Sequence, residues 1–403
     1  MGVTGIIAEY NPLHLGHRHL LEEVRKGRPE QGILVVMSGD FVQRGEPALT
    51  DKYRRAAMAL EAGADLVIEL PPRFATASAA GFARGAVGLL QACGCVDELA
   101  FGASCEDPAV FKGLADRTRA ALGTRIMHDG LREGLSYAAA AAAAVSAEDP
   151  EAGSLLRDPN NLLGTENVMM IRELGAEFRP VPVLRTGEGH LSRELPEQGF
   201  ASATAVRRAL ERGETAESLR AYLAPGVPEK LDYTIFPDDL SAAMSAVLWR
   251  LMQDGDEAPA ALIRYADVGG ILAVRIADQA PFDRPFTELA EAVSSRNFTL
   301  ARVRRSLLHI LLGIRREDMT PLPRSIRILG LREDSFLPAL LKEKASLPVL
   351  TKMADADPAL AEEYTQAHRL YAQTVYFKTG RRIPDDYRQS PVVLKRENDC
   401  ILF

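Results

Sequence analysis

Three histidines fall within six residues in "GIIAEYNPLHLGHRHLLEEV": His14, His17 and His19, directly after an apolar run. Imidazoles can ligate a metal, donate hydrogen bonds to an anion, or simply decorate the start of a helix. A metal needs ligands that converge on one point, and His-x-x-His-x-His with a helix beginning midway scatters the three rings; no metal site is expected. Gly16 favours the anion. A residue without a Cβ lets phosphate or a nucleotide approach the backbone, and His14 and His17 can donate to phosphoryl oxygens whose charge grows as an attacked phosphorus becomes five-coordinate. His19 reads as helix surface.

A second chemical feature is basic. The chain carries a net charge of −7, yet between Arg296 and Arg332 nine arginines (296, 302, 304, 305, 315, 316, 324, 327 and 332) face two acids, Glu317 and Asp318, a local balance of 9 − 2 = +7. One basic surface on an acidic protein suits a nucleic-acid contact. Within "TLARVRRSLLHILLG", Arg302 and Arg305 share a helix face with Arg304 beside them, while Leu300, Val303, Leu307 and Leu308 can face a core.

These residues must be positioned by a fold, and the apolar patterning predicts one. Short runs at Val3–Ala8, Ile33–Met37, Asp65–Leu70, 96–102 and near 177–184 read as strands. Helical patterns lie between them, at His17–Arg25, Asp51–Ala62, about 78–93, 137–148 and near 161–174. The alanine tract 137–148 is a helix rather than a linker, because Ala has the best helix propensity. Strand and helix in alternation imply a doubly wound, parallel α/β sheet covered on both faces. In such sheets ligands bind outside the carboxyl ends of strands, which is where "NPLHLGHRHLL" falls. A domain is expected over 1–212, followed by a mostly α-helical domain over 213–403, in which "DSFLPALLKEKASLPVLTK" contains runs that could be strands.

Composition bounds the rest. At 403 residues, 47% apolar and 26% charged, the chain is long enough for two or three domains, and no stretch reaches the ~18 apolar residues of a membrane span. Four cysteines (Cys93, Cys95, Cys105 and Cys400) are too few and too unevenly spaced for a disulfide framework and read as reduced thiols. Together with the absence of a signal-peptide pattern, this gives a cytoplasmic expectation.

"NPLHLGH" resembles the HxGH signature of the adenylyl-transferring superfamily that includes class I aminoacyl-tRNA synthetases and small nucleotidyltransferases. "ASATAVRRAL" is similar to that superfamily's second phosphate motif, I-S-S-T-x-x-R, with Ala201 and Ala203 at the positions of the isoleucine and one serine. Several further segments resemble one family, the tRNA(Met) cytidine acetate ligases: residues 38–71, "FGAS" (101–104), "DPNNLLGTENV" (158–168), "PVLRTGEGH" (182–190) and "RVRRSLLHILLGI" (302–314). Asp40 stands where that family is expected to carry Asn.

The resemblance implies an HxGH nucleotidyltransferase-like Rossmann domain. It also implies an ATP-dependent ligase that activates acetate as acetyl-adenylate and passes the acetyl group to N4 of the wobble cytidine of elongator tRNA(Met), with Mg2+ accompanying ATP. It makes His14 and His17 catalytic. It places ATP along Ile7, Ala8, Glu9, Tyr10, Asn11, Pro12, Leu13, His14, Leu15, Gly16, His17, Arg18, His19 and Leu20, with Gly102, Asn161 and Arg185 as further contacts; the sequence does not decide between Asn161 and the adjacent Asn160. Ser202 and Thr204 would cap a helix and Arg207 would grip the β,γ-phosphates. Gln43 and Arg44 are assigned to the acetate or adenylate neighbourhood, and Arg302, Arg304 and Arg305 to the tRNA. The residues by themselves also suit two alternatives: a small-molecule adenylyltransferase of the same superfamily, and a non-catalytic tRNA- or ribosome-associated binding protein.

Overall fold

The chain was analysed as a computed structural model that describes residues 2–133, 135–185, 194–196, 199–253, 255–280, 284–395 and 400–401. Its strands are β1 (Val3–Ala8), β2 (Gly32–Ser38), β3 (Phe41–Val42), β4 (Glu46–Pro47), β5 (Leu66–Leu70), β6 (Glu98–Ala103), β7 (Arg179–Leu184), β8 (Ile326–Arg332), β9 (Val349–Leu350), β10 (Val392–Leu394) and β11 (Cys400–Ile401). Among the described residues one sheet runs β11-β10-β8-β5-β2-β1-β6-β7, with β9 on β8, and β3 and β4 form a separate antiparallel ribbon.

The first half follows the expected alternation. β1 pairs in parallel with β2 and β6, β2 with β5, and β6 with β7. The chain winds outward from β1 in one direction and then returns to wind in the other, so the switch point lies between β1 and β6. Covering helices are punctuated as the sequence suggests. Helix Ala79–Cys93 starts where the Ser78 hydroxyl accepts the Gly81 N–H and stops at Gly94, which takes a left-handed φ of 66°. The alanine tract forms helix Tyr137–Ser146, capped by Ser136, and its small side chains let Ala140, Ala141 and Ala142 pack into the core.

The second half is mostly helical but also returns strands to the sheet. Helices Ser241–Met252, Gly270–Gln279, Phe286–Val293 and Leu300–Leu312 do form a body with its own core of Leu240, Met244, Leu272, Phe286, Leu307 and Tyr371. The chain then re-enters the sheet through β8, which lies antiparallel on β5 with an irregularity between Val67 and Ile68, and β10 adds in parallel to β8. "DSFLPALLKEKASLPVLTK" holds helix Leu337–Lys344 and only the two-residue β9. β8 is hidden in the sequence by Arg327, its second residue, a buried charge tolerated there only because partners distant in the chain neutralise it.

Those partners make a buried ionic network. Lys52 Nζ lies 3.0 Å from Glu69 Oε1 and 2.8 Å from Asp386 Oδ2. Arg327 lies 3.1 Å from Glu69 and 3.2 Å from Asp386, and His368 Nδ1 is 2.7 Å from Asp40 Oδ2. Three cations thus balance three carboxylates, all of them buried, as a low-dielectric interior requires. Burial alone would lower the His368 pKa, but Asp40 and Asp386 raise it to about 9. Asp386 is pushed up by burial, yet Lys52, Arg327 and His368 pull it well below the usual carboxylate range. Arg327 therefore belongs to the interior and is subtracted from the basic surface that the arginine count suggested.

Candidate active site

A cavity of about 360 Å³ opens at the carboxyl ends of β1, β6 and β7, within the range of small-ligand sites. Its floor is the turn after β1. Tyr10 takes a left-handed φ of 48° and Asn11–Pro12 is cis. Asn11 Oδ1 accepts the Leu49 N–H at 2.8 Å, and the wholly buried Arg55 donates to the carbonyls of Glu9 (2.7 Å) and Ser38 (3.0 Å). From the far side, the Leu15 N–H reaches the Tyr222 carbonyl at 3.1 Å. The turn is fixed by contacts from three separate stretches of chain.

The helix expected from His17 begins at Leu15, with His14 as its cap. The Gly16 N–H donates to His14 Nδ1 at 3.1 Å, and the His14 N–H donates to His17 Nδ1 at 3.4 Å. Both Nδ1 atoms accept, so in the neutral rings the proton sits on Nε2. The rings stack with centroids 3.7 Å apart at 19°, and Tyr10 meets His17 edge-on at 5.1 Å. Burial, then the neighbouring His14 and Arg185, hold His17 well below the ordinary histidine pKa. His17 is a neutral Nε2–H donor at neutral pH. Gly16 has a reason beyond ligand approach, since a Cβ there would lie 3.1 Å from His14 Cε1 and press on the stacked pair.

On the β6/β7 side, Gly102 leaves room for the Arg185 stem, which a Cβ would meet at 3.2 Å. Arg185 Nη1 donates to Asn160 Oδ1 at 2.6 Å. Asn160 lines the cavity and Asn161 does not. The Asn161 amide is spent on Ser104 Oγ (2.6 Å), the Leu155 carbonyl (3.1 Å) and the Ser104 N–H (3.0 Å). Helical geometry decides between these neighbours, which point about 100° apart. Asn160, Leu163, Gly164 and Asn167 share the cavity face.

Opposite stands helix Ala203–Glu211. Ser202 caps it, accepting the Ala205 N–H at 3.0 Å. Arg207 Nη1 donates to the Asn11 carbonyl at 2.8 Å, and Nη2 lies 3.4 Å from Thr204 Oγ1. Gln43 and Arg44, at the tip of the β3–β4 ribbon, complete the wall, with the Gln43 N–H on Glu9 Oε1 at 2.8 Å.

The cavity thus gathers Ile7, Ala8, Glu9, Tyr10, Asn11, His14, Gly16, His17, His19 and Leu20 from the expected cradle. His19, read as helix surface, lies on its edge, 6.0 Å from the Phe200 ring. Pro12, Leu13, Leu15 and Arg18 are not among its lining residues, because the turn has a second side. Leu13 is fully buried in the core, and Arg18 pairs with Glu22 at 2.7 Å. Residues 186–190 of "PVLRTGEGH" lie outside the described residues. Sequence reasoning left Asn160 open beside Asn161, and it missed Phe82, Phe101 and Asn167. The helical spacing 160, 163, 164, 167 was the available signal for the two asparagines.

The three arginines expected to meet nucleic acid sit on helix Leu300–Leu312, capped by Thr299. They are not equivalent. Arg304 pairs with Glu46 and Arg305 with Asp267 at 3.3 Å, whereas Arg302 stacks over Phe298 at 5.3 Å, in no ion pair among the described residues. Gly45 at the ribbon tip has a φ of 74°, and a Cβ there would lie 2.5 Å from the Arg305 nitrogen, so this helix packs directly on the cavity wall. Among the described residues no three His, Cys, Asp or Glu side chains gather as for a metal ion, and no helix is long and apolar enough to cross a membrane.

This geometry has counterparts. Residues 1–385 match the model of the HIGH nucleotidyl transferase family. The chain is 38% identical to a tRNA(Met) cytidine acetate ligase of Syntrophotalea carbinolica over 92% of its own length and 88% of that protein, and 31% identical to one of Lysinibacillus sphaericus over 97% and 100%. The chain belongs to the tRNA(Met) cytidine acetate ligase family. A Thermotoga maritima TmcAL solved with alpha-thio ATP superposes on it with a TM-score of 0.81 at 27% identity, covering 98% of this chain and all of that one. Membership in this family fits the doubly wound sheet with its HxGH turn at the end of β1.

Proposed function

We propose that the protein is an ATP-dependent acetate ligase that forms N4-acetylcytidine at the wobble position of elongator tRNA(Met) through acetyl-adenylate. The observation that carries this reading is the stacked His14–His17 pair. Both rings have their Nδ1 atoms committed to the backbone at a helix start and share a cavity with Arg185 and Arg207. Such a pair holds Nε2–H donors ready for charge that develops on an α-phosphate.

Acetate already carries its charge, so the first step needs alignment and charge neutralisation rather than a general base. A carboxylate oxygen bonds to the α-phosphorus as the bond to the bridging oxygen breaks, and pyrophosphate leaves. Arg207 takes the β,γ-phosphates, and Arg185 with Asn160 and Gly102 takes the nucleoside side. Asn160 replaces Asn161 in this assignment. Gln43 and Arg44 face the acetate or adenylate. Mg2+ would accompany ATP and neutralise charge on the polyphosphate; among the described residues no three His, Cys, Asp or Glu side chains gather to hold it. In the second step cytidine N4 attacks the acetyl carbon, AMP departs with the electrons of the broken anhydride bond, and the amine proton is released.

Residues 1–212 carry the ATP chemistry, and residues from 213 onward supply the helical body for tRNA before returning β8 and β10 to the sheet. Arg302 is the principal phosphate contact there, while Arg304 and Arg305 chiefly fix the helix. Labelled acetate with ATP and a panel of tRNAs tests the reading: acid-stable label confined to elongator tRNA(Met) supports it. Label that appears only with acetyl-CoA overturns it.

A further inference from the structure

Glu46, on β4 of the ribbon, is half-buried between two arginines from different parts of the chain. Its Oε1 is held by Arg304 of helix Leu300–Leu312, and its Oε2 faces Arg207 Nε at 3.9 Å, an ion-pair distance too long for a hydrogen bond. The carboxylate cannot travel far. Gly45, the preceding residue, is pressed against the backbone of Arg304 and Arg305, and the Gly45 N–H is bonded to the Val42 carbonyl at 3.0 Å.

Arg207 is therefore surrounded on three sides: Glu46 at Nε, the Asn11 carbonyl at Nη1 and Thr204 at Nη2. A guanidinium has five N–H groups. One on each Nη is left over for an incoming oxyanion, a bidentate arrangement. Burial disfavours the charged guanidinium and Glu46 opposes that effect, with Arg44 and Arg304 adding to the positive field. Two carboxylates, Glu46 and the more weakly acting Glu9, thus stand among three arginines, close to where a polyphosphate would lie, and of the two Glu46 acts on Arg207 more strongly.

We propose that Glu46 is a positioning residue: anchored by Arg304, its carboxylate aims the Arg207 guanidinium into the cavity and holds down the cavity's affinity for polyphosphate, so that pyrophosphate can leave. The proposal rests on the reading of Arg207 as the β,γ-phosphate contact. It assigns the Arg304–Glu46 pair to catalysis by way of Arg207 and not to RNA binding. A carboxylate that merely braced the fold would weaken ligand binding when removed. A carboxylate that competes with phosphate for Arg207 strengthens it.

The test is calorimetric titration of the full chain with inorganic pyrophosphate and with a non-hydrolysable ATP analogue. Glu46→Gln is expected to bind pyrophosphate about three- to tenfold more tightly, from removal of one negative charge beside the ligand in a partly screened site. In turnover it lowers both kcat and the KM for ATP, with stronger product inhibition by pyrophosphate. Glu46→Asp, which keeps the charge, stays nearer the parent value. Arg304→Gln frees the carboxylate to close on Arg207 and weakens pyrophosphate binding, and that effect shrinks in the Glu46→Gln background. A folded Glu46→Gln protein with equal or weaker pyrophosphate affinity overturns the proposal, as does equal or tighter binding by Arg304→Gln if Glu46→Gln does not fold. Arg207→Ala separates the two ideas: unchanged pyrophosphate affinity there removes the phosphate assignment itself. Weakened affinity there, without tightening in Glu46→Gln, removes only the role of Glu46.

Discussion

Raising the pH should loosen the buried ionic network that joins the sheet to helix Pro358–Thr379, and the size of the effect follows from His368 on that helix. Its pKa is raised to about 9, against an ordinary value near 6.5. The folded state therefore holds a proton that the unfolded state has already released between those two values. Stability from this group is fully present below about pH 6.5 and is lost as pH rises through about 9. The rise from about 6.5 to about 9 corresponds to about 3 kcal/mol at most. Asp40 is shifted up by burial and further down by His368 and Lys52; its contact with His368 is the same interaction seen from the other side and is not added. Urea unfolding followed by circular dichroism at pH 6.5, 7.5, 8.5 and 9.5 and fixed ionic strength reads this directly, with His368→Gln as the reference that lacks the titrating group. Parent stability should fall toward that of the variant as pH rises, the difference shrinking by about 3 kcal/mol. A difference that stays constant over the series refutes the argument. Activity should fall over the same interval, because the Ala48 N–H bonds the Asp40 carbonyl at 2.8 Å and so ties the network to the ribbon that carries Gln43 and Glu46.

Three further outcomes follow from the cavity. His17→Ala removes a donor to the developing phosphate charge and should slow ATP–pyrophosphate exchange about 10²- to 10³-fold with little change in thermal midpoint; near-normal exchange contradicts the assignment. Because His17 is held well below the ordinary histidine pKa, the exchange rate should show no histidine limb between pH 6 and 8, and an inflection near 6.5 that His17→Ala abolishes would falsify its neutral state. Asn160→Ala should weaken ATP binding while leaving the fold intact, and Asn161→Ala, which strands the partners of a buried amide, should cost about 1 to 3 kcal/mol of stability. Equal effects of the two substitutions on ATP affinity count against the division.

Much of the nucleotide half was legible because its signals are local. The apolar runs of β1, β2, β5 and β6, the caps Asp51 and Ser78, and the HxGH turn all lie within a few residues of what they determine. Asn160 against Asn161 was not legible at that range, since one residue of helical phase decides which amide meets the cavity and the start of helix Pro159–Glu173 sets that phase. β8 was hidden for a different reason. Arg327 makes sense inside a strand only beside Glu69 and Asp386, and Asp386 also meets Lys52, which is 334 positions earlier in the chain. The arginine-rich stretch misled in the same way, because composition counts charges without showing that Glu46 and Asp267 already answer two of them.

The return of the chain to β5 through β8 has a consequence for how an RNA substrate could be measured. A lobe appended at the end of a sheet hangs from one strand and is free to swing. Here the chain leaves the sheet at the edge strand β7 and comes back on the far side of β5, as β8 between β5 and β10, so the lobe is held like a bridge deck at both abutments. Two connections restrict its swing toward and away from the nucleotide cavity more than one would. If the lobe holds the RNA backbone as proposed, such a span would act as a ruler, favouring an RNA whose reactive base lies at the matching reach.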